Sequence, residues 1–147
     1  MTAPKIEQAA TVARMSEQKS LQALSAERRT HEARQVQLDQ LLQYRAEYEA
    51  ILQEKSGVGM EASQLRDYRL FLERLNSAIE QQRAEVAKSQ AGLETTQDTW
   101  RARAQRTQAL DQLVDDRQRE EVKARDKAEQ KRADDDSMVR QMARDDF

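Results

Sequence analysis

The chain has 147 residues, of which 37% are hydrophobic, 35% charged and 4% aromatic, with a formal net charge of −2. Cysteine is absent, which excludes disulfides, thiol catalysis and cysteine-based metal sites. Balanced charge argues against nucleic acid binding, which calls for a basic excess, and the thin apolar content argues against a compact globule.

A two-helix seam needs only about two apolar residues per heptad. The remaining composition, rich in Ala, Glu, Gln, Arg and Leu with three Gly and one Pro, favours helix. The N-terminal segment MTAPKIEQAA has no apolar signal region, and no apolar run is long enough to cross a bilayer. These features lead us to expect a cytoplasmic protein with no direct membrane insertion.

In chain order, Thr2 is a candidate cap and Pro4 suits the first helical turn, so a first helix is expected over about 4–55. Lys55 suits the dipole of its last turn, and Gly57 is the candidate left-handed residue that ends it. A loop over 56–63 follows, with Ser63 as cap of a second helix over about 64–143. At 1.5 Å per residue the helices would run about 75 Å and about 120 Å. So short a loop makes them antiparallel.

The second helix carries the clearest pattern. Leu65, Leu72, Ile79, Val86, Leu93, Trp100, Thr107 and Val114 recur every seventh position. Tyr68, Leu75, Gln82, Ser89, Thr96, Arg103 and Leu110 interleave with them. Alternating steps of three and four define a left-handed coiled-coil seam.

On the first helix the matching stripe reads Leu21, Leu24, Arg28, His31, Gln35, Leu38, Leu41, Arg45, Tyr48 and Leu52, with a polar middle at Arg28, His31 and Gln35. Folding at Gly57–Gly59 pairs Leu52 with Leu65, Leu38 with Ile79, Leu24 with Leu93 and Ala10 with Thr107. The expected fold is all-α: a single domain over 1–147, an antiparallel two-helix coiled-coil hairpin with a C-terminal helical overhang, unpaired beyond about 115. Because the seam finds its partner inside one chain, a monomer is expected.

No nucleophile–base set or glycine-rich phosphate loop is present, so no enzyme, cofactor or metal site is expected. His31, the only histidine, falls on the seam, and Asp134, Asp135 and Asp136 read as a solvated acidic cluster. Two surfaces stand out instead. Phe71, Leu75, Ala78 and Gln82 share a helical face, on which Phe71 either broadens the seam or anchors a partner. Tyr44 and Tyr48, near the same end, are expected to pack. Trp100, with Arg101, Arg103 and Arg106 beside it, forms the strongest local basic patch, for which a solvated helix face is the simpler explanation.

The combination of Tyr44, Glu47 and Tyr48, the glycine loop Gly57–Gly59, and the run Tyr68, Phe71, Leu75, Ala78, Ile79 and Gln82 resembles the FliJ family of flagellar type III export proteins. Trp100 followed by Arg101, Arg103, Arg106, Leu110, Leu113 and Arg117 is similar to the family as well, and the resemblance covers nearly the whole chain. It implies a stalk-like, non-catalytic protein that binds the flagellar export ATPase and promotes its hexamer. It further implies contact with the membrane export gate and with export chaperones, at the inner membrane of the flagellar base.

Carried over residue by residue, the gate-contacting stripe falls on Phe71, Leu75, Ala78 and Gln82, with Gln82 standing where some members have His. The paired ends together with the overhang would enter the ATPase ring, with Trp100, Arg101, Arg103, Arg106 and Arg117 as the contacting residues. A stalk protein of a virulence-type injectisome and a generic structural coiled coil share the same repeat and stand as alternatives. A membrane-surface helix would need a basic polar face, which the balanced charge does not supply.

Overall fold

A computed structural model describes residues 2–146. Among them lie two helices and no strand: α1, Ala3–Ser56, and α2, Ala62–Asp145. They pack as an antiparallel hairpin. The start of α1 is closed by the Thr2 backbone carbonyl, which accepts from the amides of Lys5 and Ile6 at 3.1 Å.

Two expected roles in the turn are corrected. Gly59, with φ of 85°, is the left-handed residue, and Gly57 is not. The last turn of α1 is already closed without a left-handed residue, by the Val58 amide donating to Lys55 (3.2 Å) and the Ser56 hydroxyl donating to Gln53 (3.1 Å). The reversal therefore comes two residues later. Ser63 lies inside α2 and not at its cap, because the Glu61 carbonyl accepts from the Leu65 amide at 3.0 Å and the helix begins at Ala62.

Burial follows the seam. On α2 both expected rows face inward, except that Arg103 is exposed. On α1 the buried and half-buried residues alternate by four and three from Ile6 through Ala10, Ala13, Glu17, Ser20, Leu24, Glu27, His31 and Arg34 to Leu38, and on to Leu52. The expected stripe thus holds at Leu24, His31, Leu38, Leu41, Arg45, Tyr48 and Leu52 and fails at Leu21, Arg28 and Gln35, which are exposed. Those three sit one residue past the seam positions Ser20, Glu27 and Arg34. A stripe through Leu21 needs two successive steps of three at Leu38–Leu41, whereas an uninterrupted repeat does not.

The chain divides into two compact units, residues 18–101 and residues 1–17 with 102–147. The loop-containing unit buries Leu24, Leu75 and Ile79, the first and last almost completely. It also buries His31 and Ser89 as a pair: His31 Nδ1 lies 2.6 Å from the Ser89 hydroxyl. That hydroxyl has one proton and donates it to the Val86 carbonyl at 2.9 Å, so in this arrangement the imidazole Nδ1–H donates to Ser89. Cross-helix contacts at Gln82–Arg34, His31–Ser89 and Tyr48–Phe71 fall within one turn of the expected pairing.

The unit formed by the chain ends buries Ile6, Ala10, Ala13 and Thr107. Its α2 portion outruns its α1 portion. After the half-buried Arg117 every described residue is exposed, while the helix continues to Asp145.

Candidate partner-binding surfaces

Four aromatic rings cluster in the loop-containing unit. Tyr48 is the hub, with ring centroids 4.4 Å from Phe71, 6.2 Å from Tyr68 and 6.3 Å from Tyr44. Spacings of this kind suit offset and tilted aromatic contacts. The i,i+4 spacing of Tyr44 and Tyr48 puts both on one face of α1, and the i,i+3 spacing of Tyr68 and Phe71 does the same on α2. Lys55 Nζ donates to the Tyr68 hydroxyl at 3.2 Å, tying the end of α1 to the first turns of α2.

The cluster is not closed. Tyr48 and Tyr68 are half-buried, whereas Phe71 is 41% exposed and Tyr44 56% exposed. Tyr48 packs as expected, and Tyr44 is stacked on one side only. Leu70, beside Phe71, is also exposed. Neither Tyr44 nor Leu70 stood out in the sequence as a surface residue, although the position of Tyr44 just outside the seam rows was the available signal.

The four residues of the stripe are on one face of α2 but differ in access. Phe71 is open. Leu75 is core, 8% exposed. Ala78 is half-buried and lines a shallow groove with Leu41, Gln81, Gln82, Ala84 and Glu85. Gln82 is half-buried, and its amide donates to the Arg34 carbonyl at 2.9 Å and to Gln37 Oε1 at 3.2 Å. A partner approaching this face meets Phe71 first, and it would reach the Gln82 amide only by displacing two acceptors on α1.

The second set of residues divides between the two units. In the loop-containing unit, Trp100 is half-buried, and its indole N–H is buried with no acceptor among the described residues. Arg101 is exposed. In the unit of the chain ends, Arg103 and Arg106 line a groove with Lys5, Gln8, Ala9, Val12, Ala13 and Ser16. Val12 is largely exposed there, so the groove has an apolar floor and three cationic side chains and no acidic one. Arg14 Nη2 pairs with Asp111 Oδ1 at 2.7 Å, and Arg117 is half-buried.

Neither unit presents a constellation of nucleophile, base and oxyanion donors among its described residues. Among them, too, no helix is long and apolar enough to cross a membrane. Fold and surface together define an all-helical coiled-coil protein whose distinctive features are faces that another protein can cover.

Comparison with known proteins makes the assignment specific. A family model described as "Flagellar FliJ protein" matches residues 4–145. A flagellar FliJ protein from Salmonella typhi is 30% identical over 98 residues, covering 67% of each chain. No solved structure gives a significant match. The chain belongs to the FliJ family.

Proposed function

We propose that this FliJ-family component of flagellar export is a non-catalytic, stalk-like adaptor. In this reading it binds the export ATPase ring through the unit of the chain ends, promotes the ring's hexamer, and meets the membrane export gate through the aromatic face of the loop-containing unit. Export chaperones are further partners, and the protein works peripherally at the inner membrane. The flagellar name of the matching family model favours this reading over an injectisome stalk.

The observation that carries the proposal is Phe71: held by Tyr48 at 4.4 Å, yet 41% exposed on a face with Ala78 and Gln82. An aromatic that is fixed before binding loses little conformational freedom on docking, which is the property of an interface anchor. Arg103 and Arg106, at a groove without acidic side chains, support contact with an acidic surface of a ring subunit.

Two binding experiments test it. Pull-down of the cognate export ATPase with the purified chain is expected to succeed, and absence of binding both with and without nucleotide overturns the ATPase role. Phe71→Ala is expected to weaken capture of the gate protein's cytoplasmic domain by about tenfold or more while leaving helicity unchanged. Equal capture by the variant removes Phe71 from the interface.

A further inference from the structure

The segment of α2 beyond Arg117 is fully helical and fully exposed, yet its sequence does not lose the seam. The three-and-four stepping that brings Arg117 inward runs on in phase to Glu121, Ala124, Ala128, Lys131, Asp135, Met138, Met142 and Asp145. Met138 and Met142 are 63% and 64% exposed, on the line that a facing helix would cover. No described residue of α1 covers them.

The charges on this segment are also divided along its length. Residues 119–132 carry six basic and four acidic side chains, a net of +2, and residues 133–146 carry two basic and five acidic ones, a net of −3. A helix that is basic first and acidic later is complementary to itself when turned end for end.

We propose that the overhang pairs antiparallel with the overhang of a second copy of this chain, about a twofold axis close to Ala133. In that register Ala128 faces Met138 of the second copy and Ala124 faces its Met142, so each large side chain meets a small one. Lys131 faces Asp135 of the second copy, and by symmetry each of these three layers occurs twice. A parallel pairing would set Lys131 against Lys131 and Asp135 against Asp135. Arg132 meets its own counterpart near the axis, Glu121 faces Asp145 of the second copy in the outermost layer at each end, and the seam has few large apolar groups, so the association is weak and reversible. Self-pairing would keep the overhang from other partners. The inference is independent of the adaptor reading and is tested on the purified chain alone, so either can fail without the other.

The experiment is sedimentation equilibrium of the full chain, with helicity followed by circular dichroism. The native chain is expected to pass from monomer at about 5 µM toward dimer at about 500 µM, with weaker association at high salt. Lys131→Asp and Asp135→Lys should each weaken association by about tenfold or more, because each sets like charges into two seam layers. An equimolar mixture of the two single variants should regain the dimer, since each variant's altered residue meets its opposite on the other chain. Any intrahelical effect of either substitution persists in the mixture, so recovery isolates the contact between chains. A monomer across the whole range, a dimer indifferent to both substitutions, or a mixture that stays monomeric while the native chain dimerises would each overturn the proposal.

Discussion

The two units share one heptad repeat and fill it differently. Residues 18–101 bury Leu24, Leu75 and Ile79 and lock α1 to α2 through His31–Ser89 and the Tyr48–Phe71 contact. The unit formed by residues 1–17 and 102–147 fills the same positions with Ile6, Ala10, Ala13 and Thr107. Alanine removes little apolar area from water, and the hydrophobic contribution scales with that area at about 25 cal/mol per Å². The unit of the chain ends is therefore held less firmly, although its helices are as regular. A repeat gives the geometry of pairing, and the size of the side chains on it gives the strength. Segments that must open or exchange partners come from the weaker end of that range.

The largest expected effect tests this difference directly. Ile79 has no exposed surface, and Ile79→Ala should cost about 2–5 kcal/mol in denaturant unfolding. Ala13→Gly in the other unit should cost about 1 kcal/mol, mostly helix propensity. Native-state hydrogen exchange should show faster exchange around Ala10 and Thr107 than around Leu24 and Ile79. Uniform protection, or a smaller loss for Ile79→Ala than for Ala13→Gly, would break the comparison.

The aromatic face sharpens it. Leu75→Ala should cost as much as other core truncations, about 2–5 kcal/mol, whereas Phe71→Ala should cost only about 1–2 kcal/mol, since part of the ring stays in water and its main loss is the contact with Tyr48. Thermal unfolding of the two variants measures the gap. Equal losses would make Phe71 a core residue and would remove the reason for treating it as an anchor.

Much of this was legible in the sequence because a coiled coil writes its contacts at fixed spacing. The α2 rows were readable throughout, since Leu65, Leu72, Ile79, Val86 and Leu93 are apolar and leave one consistent phase. On α1 the phase was ambiguous between Ser20 and Leu21, and hydrophobicity favoured the wrong one. Ser20, Glu27 and Arg34 occupy the seam because the repeat is set by the many positions on either side, which outweigh one leucine. Spacing placed Phe71, Leu75, Ala78 and Gln82 on one face. It did not reveal that Leu75 is closed off, or that the Gln82 amide is engaged by Arg34 and Gln37, because those depend on how closely α1 approaches.

Gly92 offers a change in the opposite direction. It lies within α2, and a Cβ added there would meet only Glu27 Oε2, at an ordinary contact distance of 3.7 Å. Nothing in the backbone calls for glycine, whose freedom in the unfolded chain weakens a helix. Gly92→Ala should therefore raise stability by about 1 kcal/mol. Destabilisation instead would mean that Glu27 cannot yield and that the helices approach more tightly here than the contact indicates.

The smallest effect belongs to the unit of the chain ends. Arg14 and Asp111 form an ion pair at 2.7 Å, but both side chains are about half exposed. Solvent and salt screen such a pair, and holding two flexible side chains together costs entropy, so Arg14→Ala should lose only about 0.2–1 kcal/mol. The loss should shrink further at 1 M salt, where the screening length falls to about 3 Å. If the unit of the chain ends is held mainly by its small-residue seam, this variant and Asp111→Asn should be nearly equivalent, and their double mutant should lose little more than either alone. A loss of several kcal/mol would show instead that charge carries what the alanines do not, and the weaker unit would then be weak only in salt.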